Sequence, residues 1–250
     1  MIDKKIDLNY ICIILFKLLM IILEKPRGYT INEFIENYKK NNNIKKICFC
    51  GRLDPMARGK VLLLINEECK MMPHYLNLDK TYQFEICFGF QTDTDDFLGI
   101  IENKTDIVIP AIIHDLVEYI QNISNYEFNQ KFHKYSSKRI NGKTIREQIL
   151  ENIPTHKVKI YETKYIGISV CNFKNFINSI INNINTIDKT KNFRQTEIIN
   201  QWKNINRQNI CSIKLEMKVS SGFYIRQFVR DLNEKFNFPM NVYDIHRINI

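Results

Sequence analysis

Residues 82–90, YQFEICFGF, place Tyr82, Phe84, Ile86, Phe88 and Phe90 in strict alternation with Gln83, Glu85, Cys87 and Gly89. A period of two sends successive side chains to opposite faces of a pleated strand, so this segment predicts a half-buried strand. KVKIYETKYIGI (157–168) and SIKLEMKVSSG (212–222) read the same way, the latter with Leu215, Met217 and Val219 inward. VLLLI (61–65) is apolar throughout and fits a buried strand or a helix segment. Helical spacing appears in three places. Thr30 and Glu33 have capping-box spacing ahead of Phe34, Ile35 and Tyr38. Residues 111–122 read as a second helix. Ile225, Phe228, Val229, Leu232 and Phe236 form one helical stripe, with Arg226, Arg230 and Glu234 on another face. Strands outnumber helices, and the fold class expected is α+β, with a mixed, mainly antiparallel central sheet flanked by helices.

At 250 residues the chain is long enough for one large domain with its own core. It carries a net charge of +9, which favours a polyanionic partner such as RNA or DNA, although an AT-rich genome would bias the composition in the same direction. The seven cysteines contain no C-x-x-C pair, and the five histidines are not spaced to complete a zinc site. Reduced, mostly buried thiols and no metal are expected. TDTDDFLG (92–99) reads as a turn; a calcium loop counted from Asp93 would need a glutamate where Lys104 stands. No G-x-G-x-x-G, Walker loop or G-x-S-x-G occurs, which counts against dinucleotide, nucleoside-triphosphate and nucleophile-elbow chemistry. The apolar run at 10–23 is broken by Lys17 and is shorter than the ~20 residues of a membrane span, so a buried strand with its lead-in is expected rather than a membrane segment. Met20 offers an alternative start, which would make residues 1–19 an extension.

The densest chemical signal is CGRLDPMARG (50–59). Asp54 sits between two of only eight glycines, next to Pro55, with Arg52 and Arg58 on either side. Asp54 could be a helix N-cap with proline at the first helical position. Equally, it could be the centre of a chemical site. Glycines permit positive φ or close backbone approach, and the flanking arginines favour an ionised carboxylate and suit phosphates.

Several segments, in order, resemble the TruB family of tRNA pseudouridine-55 synthases. GRLDPMARGKVLLL is similar to the family's G-x-L-D-P-x-A-x-G-V-L motif, and LEKPRGYT to L-D-K-P-x-G-x-[ST]. DKTYQFEICFGFQTDTDDFLG is similar to the K-x-Y strand and T-D-T-D-D turn. YSSKRINGKTIRE matches the Y-S-A-x-K-x-x-G-K pattern, and VSSGFYIRQFVRDLNEKF the C-S-x-G-x-Y-I-R pattern. The similarity spans about 20–165 and 211–248, and every glycine except Gly167 falls within it. The resemblance implies a pseudouridine synthase catalytic domain over 20–250 with a basic thumb-like segment. Such an enzyme flips a uridine out of the tRNA T-loop, breaks its glycosidic bond and rejoins the base through C5, with no cofactor or metal. It implies Asp54 as the catalytic aspartate, Arg226 as its partner, and Tyr82 as the residue stacking on the base. Tyr224 and Ile245 would line the uridine pocket, and Lys25 and Pro26 would turn near it. Lys80, Arg52 and Arg58 would lie at the RNA, with Lys138, Arg139 and Lys143 gripping phosphates unless they form only a solvated loop.

Phe49 stands where the family has a histidine that helps displace the flipped base, and it could stack or wedge but not hydrogen-bond. Arg146 replaces a tyrosine, Asn233 a glycine and Asn241 a histidine. Residues 172–209 are an insertion without glycine or proline, expected as one or two helices or a poorly ordered stretch. No C-terminal RNA-binding domain of the PUA type is expected. The T-stem-loop of tRNA is the expected partner, with mRNA, rRNA or a guide-RNA complex as alternative substrates and a non-catalytic tRNA chaperone as the rival class. A monomer is expected, in an intracellular setting, cytoplasmic or nuclear; the acidic residues of MIDKKIDLNY disfavour an organellar address without settling it.

Overall fold

The computed structural model describes residues 20–106, 110–148 and 152–250. Residues 1–19, including most of the apolar run at 10–23, lie outside the described residues. The elements in chain order are β1 (Met20–Lys25), α1 (Ile31–Asn41), β2 (Ile47–Cys50), β3 (Arg58–Ile65), α2 (Met72–Leu76), β4 (Lys80–Phe88), β5 (Phe90–Thr92) and β6 (Ile101–Lys104). Then come α3 (Pro110–Asn122), β7 (Tyr126–Lys131), β8 (Arg139–Ile140), β9 (Lys143–Thr144) and β10 (Thr155–Asn172). The chain ends with α4 (Phe173–Thr186), α5 (Gln195–Lys203), β11 (Asn209–Val219), α6 (Ile225–Phe236) and β12 (Met240–Asn249).

Eight strands form one sheet in the order β1-β3-β12-β4-β11-β10-β7, with β2 also on β3. Every pairing in this sheet is antiparallel except β12 with β3. The expected alternation in β4 holds: Tyr82, Phe84, Ile86 and Phe88 are buried in the main core. VLLLI proves to be a strand. Val61 and Leu63 enter the main core, while Leu62 and Leu64 pack with Cys50 in a separate cluster. Burial on both faces explains why the alternation is missing there. The main core also takes Ile31 and Ile35 of α1, Leu116 and Ile120 of α3, and Phe228, Val229 and Leu232 of α6. Each such side chain contributes about 1.5–3 kcal/mol when fully buried. The capping box at Thr30 forms as its spacing predicts.

The insertion is ordered. Its helices α4 and α5 bury Phe173, Phe176, Ile177, Ile180, Ile184, Ile198 and Trp202 in a second core with Phe90 and Phe97. The Asn- and Ile-rich composition looked indistinct, but isoleucines at 177, 180, 181 and 184 make one apolar helix face. The six described cysteines carry free thiols. Two are buried, three half-buried and Cys171 exposed, so the expectation of mostly buried thiols is corrected. Among the described residues no helix is long and apolar enough to cross a membrane.

Candidate active site

One edge of β3 is shared by β2 and β12: β2 pairs with Leu62–Ile65 and β12 with Arg58 and Gly59. The loop joining β2 to β3 lies where the first strand leaves and the second arrives. The chain turns at Gly51 with φ +91° and enters β3 through Gly59 with φ +119°. At Gly59 a Cβ would fall 2.4 Å from the carbonyl oxygen of Arg247, so no side chain fits between the two strands there. No helix follows Asp54. Its carbonyl accepts a 3.0 Å bond from the Ala57 N–H in a tight turn, and the next element is β3. The N-cap alternative is therefore corrected: the apolar run after the loop is needed as a central strand, and Pro55 serves a turn rather than a first helical position.

Beneath this turn Lys25 is wholly buried. Its Nζ donates to the carbonyls of Ala57 (2.6 Å), Pro26 (2.9 Å) and Pro55 (3.5 Å). Burial pulls its pKa down to about 7, against the opposing pull of the Asp54 carboxylate. Gly28 N–H adds a 2.9 Å bond to Pro55 O. With Leu53, Met56 and Ala57 buried as well, the loop is clamped from below while the Asp54 side chain stays 31% exposed.

Arg226, at the start of α6, meets Asp54 at 2.8 Å through Nη2. Its Nη1 donates to Thr94 O at 3.1 Å and lies 3.6 Å from Asp96 Oδ2. Burial opposes the guanidinium charge, but Asp54, Asp96 and Asp95 outweigh it and raise its pKa. Asp96 is itself buried, and that burial pushes its carboxyl upward against the pull of Arg226. The Asp54–Arg226 pair is thus a fixed ion pair opening on one side to solvent.

Two cavities meet at this pair. The first, about 350 Å³, is lined by Tyr82, Lys80, Tyr224, Ile245, Arg247 and the Ser220–Gly222 turn, among others. Tyr82 comes from β4, and Ile245 and Arg247 from β12. Tyr224 is anchored by a reciprocal pair of bonds with the Gln130 amide, at 2.9 and 3.1 Å, and burial raises its phenol pKa. Lys80 donates to the carbonyls of Leu76 and Leu78, and burial brings its pKa to about 8, with Arg247 adding to the effect. The second cavity, about 390 Å³, is lined by Asp54, Arg226, Thr94, Asp96, Tyr135, Arg146 and Asn192–Arg194, with Pro55 and Leu98.

The turn at 92–99 lines the second cavity through Thr94, Asp96 and Leu98. Asp95 is buried, accepts from Arg230 Nε at 2.7 Å and bonds His133 Nε2 at 2.9 Å. Burial raises Asp95 to about 6 and, with Arg226 nearby, holds His133 far below its ordinary value, so that ring is a neutral donor. Asp93 receives the Tyr135 hydroxyl at 2.6 Å and a two-pronged contact from Arg194 at 2.7 and 3.1 Å. Among the described residues no cluster of His, Cys, Asp and Glu could hold a metal.

Residues 39–179 match the family described as TruB family pseudouridylate synthase (N terminal domain). The chain belongs to the TruB family. It is 30% identical over 218 residues to the tRNA pseudouridine synthase B of Ureaplasma urealyticum serovar 10, covering 87% of this chain and 80% of that one. It is 34% identical over 160 residues to the tRNA pseudouridine synthase B of Mycoplasma capricolum, covering 62% of this chain and 54% of that one. It thus spans about half the length of the Mycoplasma relatives it matches. Among solved structures a Cbf5-Nop10-Gar1 complex superposes with a TM-score of 0.55 at 15% identity, covering 92% of this chain and 47% of that one, which shows a shared fold.

The structure brings together most of the residues picked out in the sequence, but not all. Asp54, Tyr82, Arg226, Tyr224, Ile245, Lys80 and Arg52 come together around the first cavity. Lys25 and Pro26 do not line it: Lys25 is a buried brace and Pro26 faces solvent. Arg58 is also corrected, since it pairs with Asp244 at 3.0 Å, an acceptor it shares with Arg27. Arg58 lines neither cavity. Phe49 packs against the main core with Arg52 over its ring, and it does not line the cavity. Lys138, Arg139 and Lys143 are exposed around the β8–β9 hairpin and line neither cavity. Lys138 sits 4.7 Å over the Phe132 ring, and Arg139 donates to Gly142 O. Arg226, on a different helix face from the apolar stripe, is nevertheless buried. Asn233, in place of the TruB glycine, bonds both the N–H and the carbonyl of Met240 at 2.9 Å. Sequence reasoning missed Asp95, Asp96, His133, Arg230 and Arg247. The T-D-T-D-D run was the available signal for the first two. Arg247, buried and donating to Lys60 O and Gly51 O, had none.

Proposed function

We propose that this chain isomerises uridine to pseudouridine in RNA, with the T-loop uridine of tRNA as its target. The observation that carries the reading is the Asp54–Arg226 pair, 2.8 Å apart at the mouth of a cavity walled by Tyr82, Tyr224 and Ile245. A uridine buried in a stacked loop cannot be reached, so the base must leave the stack to enter such a cavity. An aromatic ring from β4 and an aliphatic side chain from β12 give that base two apolar contacts that do not depend on its edges. Asp54, clamped from below and oriented by Arg226, presents a carboxylate oxygen at the cavity mouth as nucleophile or base. The net reaction exchanges the N1–C1′ bond for a C5–C1′ bond; C5 loses a proton and N1 gains one, so no atom is added or removed. Arg52, which lines the first cavity, and Lys138, Arg139 and Lys143 around the β8–β9 hairpin are all exposed and supply cations for the RNA backbone.

Asp54→Asn tests this with a T-arm stem–loop transcript. The variant should bind the RNA as the unchanged chain does and form no pseudouridine, read by carbodiimide-dependent primer-extension stops. Undiminished modification by the variant would remove Asp54 from the reaction. Tight binding without modification by the unchanged chain would favour an RNA chaperone.

A further inference from the structure

The second cavity is not a lobe of the first. The two share Asp54 and Arg226 and no other lining residue. Its far wall comes from Asn192, Phe193 and Arg194, in the link between α4 and α5, beyond residue 179 where the family match ends. That wall is fixed in place. Arg194 grips Asp93 with both Nη atoms, its guanidinium lies 5.8 Å over the Tyr135 ring, and the Tyr135 hydroxyl bonds the same carboxylate. Asn192 and Arg194 both hold left-handed backbone, φ 47° and 61°, on either side of Phe193. The Phe193 ring is half-buried, packed against the insertion core on one side and lining the cavity on the other. Arg146 also lines this cavity, is exposed, and makes no ion pair among the described residues.

We infer that the insertion builds a second nucleotide subsite, which takes the immediate neighbour of the reacting uridine with its base against Phe193 and Tyr135 and its phosphate toward Arg146. This rests on the reading of the chain as a synthase acting on RNA. The lining has what a single-stranded nucleotide needs: two aromatic faces, an uncommitted cation, and a volume in the range of small-ligand sites. Asp54 and Asp96 are both engaged by Arg226, and Asp93 by Arg194, so the carboxylates around the cavity do not oppose a phosphate at Arg146. Consecutive bases splayed from a loop stay close enough to enter two cavities divided by a single ion pair. Phe193 is a specificity-determining residue in this reading and takes no part in bond making.

The test is a coupling measurement. Binding is followed by fluorescence anisotropy in the Asp54→Asn background, where no turnover intervenes. The T-arm stem–loop transcript is compared with two versions lacking the base on the 5′ or the 3′ side of the T-loop uridine. Phe193→Ala should weaken binding of the intact transcript about tenfold, the size expected for one lost stacking contact. One of the two abasic transcripts should bind the Phe193 protein more weakly by a similar factor. Combining that transcript with Phe193→Ala should cost nothing further. Phe193→Leu keeps the apolar packing of the insertion and should behave like Ala, whereas Phe193→Trp should restore affinity. A purely structural role for Phe193 predicts losses that multiply at both abasic positions, and that result, or unchanged binding by Phe193→Ala, overturns the subsite. Absent coupling with uridine still converted by the native chain refutes the subsite and spares the synthase reading. Coupling in a chain that converts no uridine supports the subsite and refutes the synthase reading.

Discussion

The two cavities on either side of Asp54 are built in opposite ways. The first is walled by side chains on regular elements: Tyr82 and Lys80 on β4, Ile245 and Arg247 on β12, Ile225 and Arg226 at the start of α6. Their directions are set by strand pleat and by sheet register, with Arg247 opposite Tyr82 and Ile245 opposite Phe84. The second is walled mostly by turns and links: the 92–99 turn, Tyr135, Arg146 and the 192–194 link. The 92–99 turn keeps some backbone pairing, Thr92 with Ile101 and Asp96 with Val242 of β12. The 192–194 link and Tyr135 are tied to it by side-chain contacts, chiefly Arg194 and Tyr135 on the single carboxylate of Asp93. A cavity on strands is as rigid as the core beneath it, whereas one on links is only as rigid as its clamps.

Arg226 belongs to both cavities, so its removal gives the largest effect. Arg226→Gln should lower pseudouridine formation at least about a hundredfold, in the range for losing one oriented charge partner at a reacting centre. It should also destabilise the chain by about 3 kcal/mol, because Asp96 is left buried without its cation. Circular dichroism at the assay temperature separates the two losses. A variant that keeps its activity would break the view that one ion pair serves both sides.

Lys25 concerns the floor of the Asp54 loop. Burial lowers its folded pKa to about 7 from the ordinary lysine value of 10.5. Below about pH 7 both folded and unfolded chains hold the proton, and the slope of stability with pH from this group is zero. Between about 7 and 10.5 the unfolded chain binds more protons, so stability rises with pH. From pH 7 to 8.5 that gain is on the order of 1–2 kcal/mol. Lys25→Met should remove this share of the slope, measured by urea unfolding of both proteins at each pH. Equal slopes would mean that the three carbonyl acceptors keep the ammonium charged throughout.

Arg194 sharpens the contrast most finely. Its side chain is about one-third exposed, so Arg194→Ala should cost only about 1 kcal/mol overall. Amide exchange should quicken around 188–205 while β4 and β12 stay protected. Faster exchange spread evenly through the sheet would erase the distinction between the two walls.

Much of the first cavity was legible in the sequence because periodicity and local motifs report on strands and tight turns. The alternation at 82–90 fixed which face Tyr82 shares with the core, and the glycines at 51 and 59 marked a loop that needs positive φ. Residues adjacent in sequence misled where strand geometry intervened. Arg58 was expected beside Asp54, but it reaches Asp244, while the carboxylate's partner arrives from α6. The 92–99 turn showed its acidic run but not its purpose, because the partners of Asp95 and Asp93 lie on α6, on the 133–135 segment and in the insertion.

By itself the sequence determined the α+β class, the core strands, the Asp54 loop and its family, since these follow from period, turn chemistry and short motifs. Only the tertiary structure decided which cations meet Asp54, that Lys25 braces rather than binds, and that the insertion closes a second cavity. These are long-range contacts between buried or half-buried charges, and no local pattern encodes which arginine a fold will carry to a given carboxylate.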